Sequence, residues 1–230
     1  MKRTTSTTAL SKTEPPTVIR IAIVDDHPLF RKGLEQLINS HGGFAVRAEA
    51  ADAAAAMDVI RSVALDLAIV DLSLPGANGI ELIKNIRAEF PKLPILVLSM
   101  HDESLYAIRA LKAGAQGYVM KQEALENVIT AIGEVLAGRP YLSRTMSAKL
   151  ITNVASGVNE ESPTDKLSDR ELEILELIGK GRDVRDIAKS LHISTKTVET
   201  HRAHIKEKLN LPNARQVARF AIQWLAEQAA

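Results

Sequence analysis

Short, mainly apolar runs alternate with longer amphipathic ones through the first 138 residues. Val18–Val24, Phe44–Ala50, Leu65–Val70, Ile95–Leu98 and Tyr118–Met120 are each too short for a typical helix and are bounded by polar or turn residues, so they predict strands, Leu65–Val70 being one buried on both faces. Between them the period lengthens to that of a helix. Pro28 opens one with Leu29, Phe30, Gly33, Leu34, Leu37 and Ile38 on one face, stopped by Gly42 and Gly43. Asp52–Ser62 is Ala-rich; Gly79–Phe90 carries Ile80, Leu82, Ile83 and Ile86; Ser104–Lys112 and Glu123–Leu136 follow. Strands alternating with helices predict an α/β doubly wound, parallel five-stranded sheet with right-handed crossovers.

After Gly138 the pattern changes. Residues 139–166 are polar, with Pro140, Gly157 and Pro163 around an expected short helix Thr145–Val154, and read as a flexible linker. Ser168-Asp169-Arg170-Glu171 is a capping box opening a helix with Leu172, Ile174, Leu175, Leu177 and Ile178. A short helix from Asp183, a tight turn at His192–Ser194 and a long helix Thr195–Leu209 form a helix-turn-helix pattern, with Asn213–Gln228 as the last helix. The reading divides the chain into a disordered tail (1–17), an α/β domain (18–138), a linker (139–166) and an all-α domain (167–230).

Composition adds exclusions. There is no Cys, so disulfides and thiolate metal sites are absent, and carboxylates and His are left as candidate ligands. No apolar run approaches the roughly 18 residues of a membrane span, and no signal-peptide core is present, which predicts a cytoplasmic protein with no membrane partner. Charge is unevenly spread: residues 18–140 carry 12 basic and 15 acidic side chains, residues 165–230 carry 12 and 10. That second balance is too small to argue nucleic-acid binding; placement has to. In the long helix Val198, Ile205 and Leu209 face a core, which leaves Lys196, Glu199, Thr200, Arg202, Ala203 and Lys206 on the opposite arc.

Four strands end in chemically useful groups: Asp25 and Asp26, Asp71, Ser99, and Lys121. Each alone closes a turn. Together they converge on the carboxyl edge of a parallel sheet, where such folds bind ligands. Clustered carboxylates imply a hard cation, and Mg²⁺ suits oxygen ligands. Asp71 can then attack a phosphoryl group whose oxygens Mg²⁺ and Lys121 neutralise, with Ser99 donating a hydrogen bond. His201 and His204, three apart, offer metal ligands, but the sequence shows no third.

Val24-Asp25-Asp26-His27, Val70-Asp71-Leu72-Ser73-Leu74-Pro75, Leu98-Ser99 and Tyr118-Val119-Met120-Lys121 resemble the CheY-like, flavodoxin-type receiver domain of two-component response regulators. Leu167–Leu175 and Ile193–His201 resemble the LuxR-type output domain, and the joint order resembles the NarL/FixJ family. The resemblance implies Asp71 as phosphoacceptor; Asp25, Asp26, Asp71 and Ser73 as the Mg²⁺ set; Ser99, Tyr118 and Lys121 as switch and catalytic groups; and Lys196, Thr197, Glu199, Thr200, Arg202, Ala203 and Lys206 as DNA contacts. It further implies a sensor histidine kinase, double-stranded DNA, a homodimer and RNA polymerase as partners, and a regulator rather than an enzyme. Two rivals stay open: an aspartyl-phosphate phosphatase of the haloacid-dehalogenase type, which usually has an acid where Ser73 stands, and a DNA-binding protein with a purely structural receiver. Gln122, in place of a Pro common after that Lys, predicts a trans bond, because a non-proline cis bond costs roughly 3 kcal/mol. The opposed charges predict that the receiver lies over the basic helix.

Overall fold

The computed structural model describes residues 18–156 and 162–228; the expected disordered tail, residues 1–17, lies outside them. Strands β1 (Ile19–Val24), β2 (Phe44–Ala50), β3 (Leu67–Val70), β4 (Ile95–Ser99) and β5 (Gly117–Met120) form one parallel sheet in the order β2-β1-β3-β4-β5. Helices α1 (Pro28–Ser40), α2 (Ala53–Ser62), α3 (Gly79–Glu89), α4 (Glu103–Ala113) and α5 (Ala124–Leu136) cover both faces. Alternation along the strands sorts the core. Ile21, Ile23, Leu67, Ile69, Leu96 and Leu98 pack with Leu34 and Ile38 of α1 and Val128 and Ile132 of α5, while Ala68, Val70, Ile95 and Val97 pack with the α2, α3 and α4 side.

Leu29 does not join the face expected for it and is 90% exposed. At 3.6 residues per turn it lies about 140° round the helix from Leu34, the centre of the buried stripe. Gly33, about 100° from Leu34, is exposed as well. The loop after β3 contains a two-residue hairpin, Ser73–Leu74 against Ala77–Asn78, turning at Gly76 with φ 69°. Gly79, which starts α3, admits no side chain: a Cβ there would overlap the carbonyl oxygen of Asp71 and Cα of Leu72.

The first residues after Gly138 lie at the sheet edge. Tyr141 bridges to Gly117, its carbonyl accepting from the Tyr118 N–H at 2.8 Å and its own N–H donating to the Gln116 carbonyl at 3.0 Å. Helix α6 (Arg144–Ser156) follows, with Met146 buried in the core. A backbone that finds partners at a sheet edge is held there whatever its side-chain polarity.

The remaining helices are α7 (Asp169–Gly179), α8 (Val184–Ser190), α9 (Thr195–Lys208) and α10 (Ala214–Gln228). Ser168 and Glu171 make the expected capping box, and Asp183 and Ser194 cap α8 and α9. Val198, Ile205, Val217, Ala221 and Trp224 are buried with the α7 leucines. Non-glycine left-handed residues, His192 (φ 53°) and Asn210 (φ 53°), turn the chain before and after α9. Among the described residues no helix is long and apolar enough to cross a membrane, and all peptide bonds are trans, Lys121–Gln122 included.

Candidate functional site

The strand order reverses between β1 and β3, so the residues just past their ends lie side by side. The Asp71 N–H donates to the Val24 carbonyl at 2.9 Å, and the Asp25 N–H to the Ala50 carbonyl at 3.0 Å. Lys121 enters from the end of β5 and joins both acids: its Nζ lies 2.7 Å from Asp25 Oδ2 and 2.6 Å from Asp71 Oδ2, all three side chains being buried. The Phe30 ring sits 4.7 Å from the same ammonium. Burial pushes the Asp71 carboxyl above its usual value, the Lys121 charge opposes this, and the neighbouring Asp25 charge adds to it.

Asp26 Oδ1 is sealed from solvent and makes no hydrogen bond; His27 Nδ1 lies 2.6 Å away, without the geometry of one. Asp25, Asp26, His27 and Asp71 each bring a ligand atom within 4.8 Å of the others. An orphaned carboxylate oxygen in a group of three acids fits a hard cation. His27 was not anticipated from the sequence. Ser73 donates its N–H to Asp71 Oδ1 at 3.1 Å, and its Oγ lies 3.1 Å from His101 Nε2.

Ser99 and Tyr118 are both buried and converge on one residue that sequence reasoning missed. The His101 N–H donates to Ser99 Oγ at 3.2 Å, and the Tyr118 hydroxyl donates to the His101 carbonyl at 2.9 Å. Burial raises the Tyr118 phenol and keeps it a neutral donor. The ring of His101 in turn reaches α7, where its Nδ1 lies 3.0 Å from Glu176 Oε2. Tyr106 of α4 donates to the same oxygen at 2.7 Å, and Lys180 holds Oε1 at 2.5 Å. Burial by itself raises Glu176, but His101, Lys180 and Tyr106 outweigh it and hold the carboxyl down to about 2. Burial by itself lowers His101, but Glu176, Glu173 and Asp71 outweigh it and raise the imidazole.

This contact belongs to a larger seam. Arg109 of α4 donates to the carbonyls of Thr164 (2.7 Å) and Leu167 (2.9 Å) and pairs with Asp169 at 3.1 Å, while Lys84 of α3 pairs with Asp169 at 3.0 Å. A cavity of about 340 Å³ lies at the seam, with Asp26, Asp71 and Ser73 on one side and Glu173, Leu177 and His192 on the other. The sequence did carry one signal for it. Glu173 and Glu176, three apart, are buried on α7 together with Glu171 among Leu172, Ile174, Leu175 and Ile178, an expensive position for carboxylates without partners.

The receiver does not lie over the basic helix as the opposed charges predict. Lys196, Glu199, Thr200, Ala203 and Lys206 of α9 are exposed. Arg202 is half-buried and paired with Glu199 at 3.1 Å; Thr197 is half-buried, its N–H donating to Ser194 Oγ at 3.0 Å. Specific hydrogen bonds from α3 and α4 to α7 decide the docking, and they outrank a small difference in net charge.

Two sequence families match this chain: "Response regulator receiver domain" over residues 21–133 and "Bacterial regulatory proteins, luxR family" over residues 165–221. The chain is 35% identical over 211 residues to Oxygen regulatory protein NreC of Staphylococcus aureus strain JH9, covering 89% of this chain and 97% of that protein. The chain is a response regulator of the NarL/FixJ family. It joins a receiver to a LuxR-type DNA-binding domain and belongs with transcription regulators. A solved LuxR-family response regulator from Aurantimonas sp. SI85-9A1 is similar at 39% identity and TM-score 0.56, over 60% of this response regulator and 99% of that chain. RcsB of Salmonella enterica serovar Typhimurium, solved bound to promoter rprA with the phosphomimetic BeF3-, is similar at 28% identity and TM-score 0.61, over 89% and 98%.

Proposed function

We propose that this response regulator is a phosphorylation-gated transcriptional regulator with Asp71 as its phosphoacceptor. A sensor histidine kinase is the donor: an Asp71 carboxylate oxygen attacks phosphorus, the P–N bond of the phosphohistidine breaks, and the imidazole leaves with its electron pair and takes up a proton. Lys121 neutralises the incoming oxygens, and Ser99 donates to one of them. Asp25, Asp26 and Asp71, with Ser73, would hold Mg²⁺, which when bound supplies charge neutralisation to the phosphoryl oxygens.

The observation that carries the gating is the double hold on His101. Ser99 and Tyr118 fix its backbone, and its ring fixes Glu176 of the output domain. Drawing Ser99 toward a phosphoryl group on Asp71 removes one backbone anchor of His101 and weakens the grip on α7. Phosphorylation thereby favours an undocked output domain, free to pair with a second copy on two half-sites of duplex DNA through Lys196, Thr197, Glu199, Thr200, Arg202, Ala203 and Lys206. Chain segments 18–138 and 167–230 act as the two moving bodies, with 139–166 between them. RNA polymerase is the expected downstream partner.

Incubation with acetyl phosphate and Mg²⁺ tests the assignment. One alkali-labile phosphoryl group per chain is expected, absent in Asp71→Asn; equal labelling of the variant contradicts it.

A further inference from the structure

Glu171 of α7 and His201 and His204 of α9 each bring one ligand atom within 4.8 Å of the others. The sequence shows His201 and His204 on one face of α9; the fold supplies the third group from α7. Glu171 is already oriented. Its Oε2 accepts the Ser168 N–H at 2.7 Å and the Lys208 ammonium at 2.6 Å, leaving Oε1 toward His204, whose Nδ1 lies 3.6 Å away. A carboxylate held by its second oxygen is how metal sites orient a ligand. His201 Nδ1 is sealed from solvent and makes no hydrogen bond. The two rings meet edge to face at 90°, with centroids 6.4 Å apart.

We infer that Glu171, His201 and His204 form a Zn²⁺-class site that clips the reading helix α9 to α7. Metal–ligand bonds of about 2.0–2.2 Å place tetrahedral ligand pairs roughly 3.4 Å apart, so the three groups need to close by at most about 1.4 Å. His204 is half-exposed. Two imidazoles and one carboxylate select zinc over Mg²⁺, and a fourth position stays open to solvent. Lys208 opposes a nearby cation, but it occupies the far oxygen of Glu171. Two imidazoles and one acid differ in donor set from the three acids and one imidazole at Asp25, Asp26, His27 and Asp71, which keeps the two metals apart.

Zinc competition against a chromophoric chelator, on the full chain in saturating Mg²⁺, tests the inference. One Zn²⁺ equivalent is expected, weakened about tenfold or more in His204→Ala and in Glu171→Gln and unchanged in His27→Ala. His204 is on the surface, so its variant keeps the fold, which thermal unfolding checks. Wild-type affinity in His204→Ala, loss of the equivalent in His27→Ala, or no equivalent at all would overturn it.

Discussion

Glu176 of the output domain accepts a 2.7 Å hydrogen bond from the hydroxyl of Tyr106 in the receiver, a contact between side chains 70 residues apart in sequence. Both are buried, and Burial places the Tyr106 phenol well above its usual range, so it stays a donor. A hydrogen bond to a charged group contributes about 1.5–3 kcal/mol. Tyr106→Phe removes that contact while keeping the ring, and shifts the docked–undocked balance by about tenfold or more. Acetyl phosphate should therefore label Tyr106→Phe faster than wild type. An unchanged rate would detach this contact from access to Asp71.

The same seam responds to pH. His101 is raised by docking, so its contribution is fully present below its free value of 6.5 and is lost as pH rises through the raised one. Glu176 is lowered, so its contribution is present above 4.5 and is lost as pH falls toward about 2. Docking is tightest between those limits. Glu173 at 3.9 Å, Ser73, Tyr106 and the Asp71 charge also face the imidazole. Between about pH 6 and pH 8.5, wild type should gain more in phosphorylation rate than Glu176→Gln does. Parallel pH profiles for the two proteins would count against a role for the His101–Glu176 contact in docking.

The strand ends were legible because period and burial agree there: Asp25, Asp71, Ser99 and Lys121 each follow a run that can only be a buried strand. The seam was not, because its partners, Tyr106, His101 and Glu176, come from three elements with no common period. Leu29 was misplaced by counting apolar residues without their angular position. Residues 139–142 looked free because the anchors there are backbone hydrogen bonds at Tyr141, which composition does not report. Net charge misdirected the docking for the same reason that surface charge rarely decides it: about 0–1 kcal/mol per exposed pair, against a set of directed, half-buried bonds.

Lys121 neutralises two buried carboxylates at once. Lys121→Met leaves Asp25 and Asp71 facing each other without a cation, and removing one partner of a buried pair costs roughly 3–5 kcal/mol. Added Mg²⁺ should restore part of that loss, measured as a rise in the denaturation midpoint larger than in wild type. Equal Mg²⁺ effects in both proteins would contradict the shared site.

On α9, Lys206 is exposed in the last turn of the helix and should meet phosphate. Lys206→Ala should weaken binding to all duplexes alike and flatten the salt slope by about one. Thr200→Ala or Arg202→Ala should instead relax base preference, worth about 1–3 kcal/mol per good contact. A change of sequence preference in Lys206→Ala alone would reverse the helix orientation.

The most direct measurement is a titration of the full chain on one duplex chosen by selection from random sequences, with and without phosphodonor. The account predicts that phosphodonor tightens wild-type binding by about tenfold or more, roughly 1.4 kcal/mol, and leaves Asp71→Asn unchanged. Equal affinity in both states, with Asp71→Asn no different from wild type, would contradict phosphorylation gating.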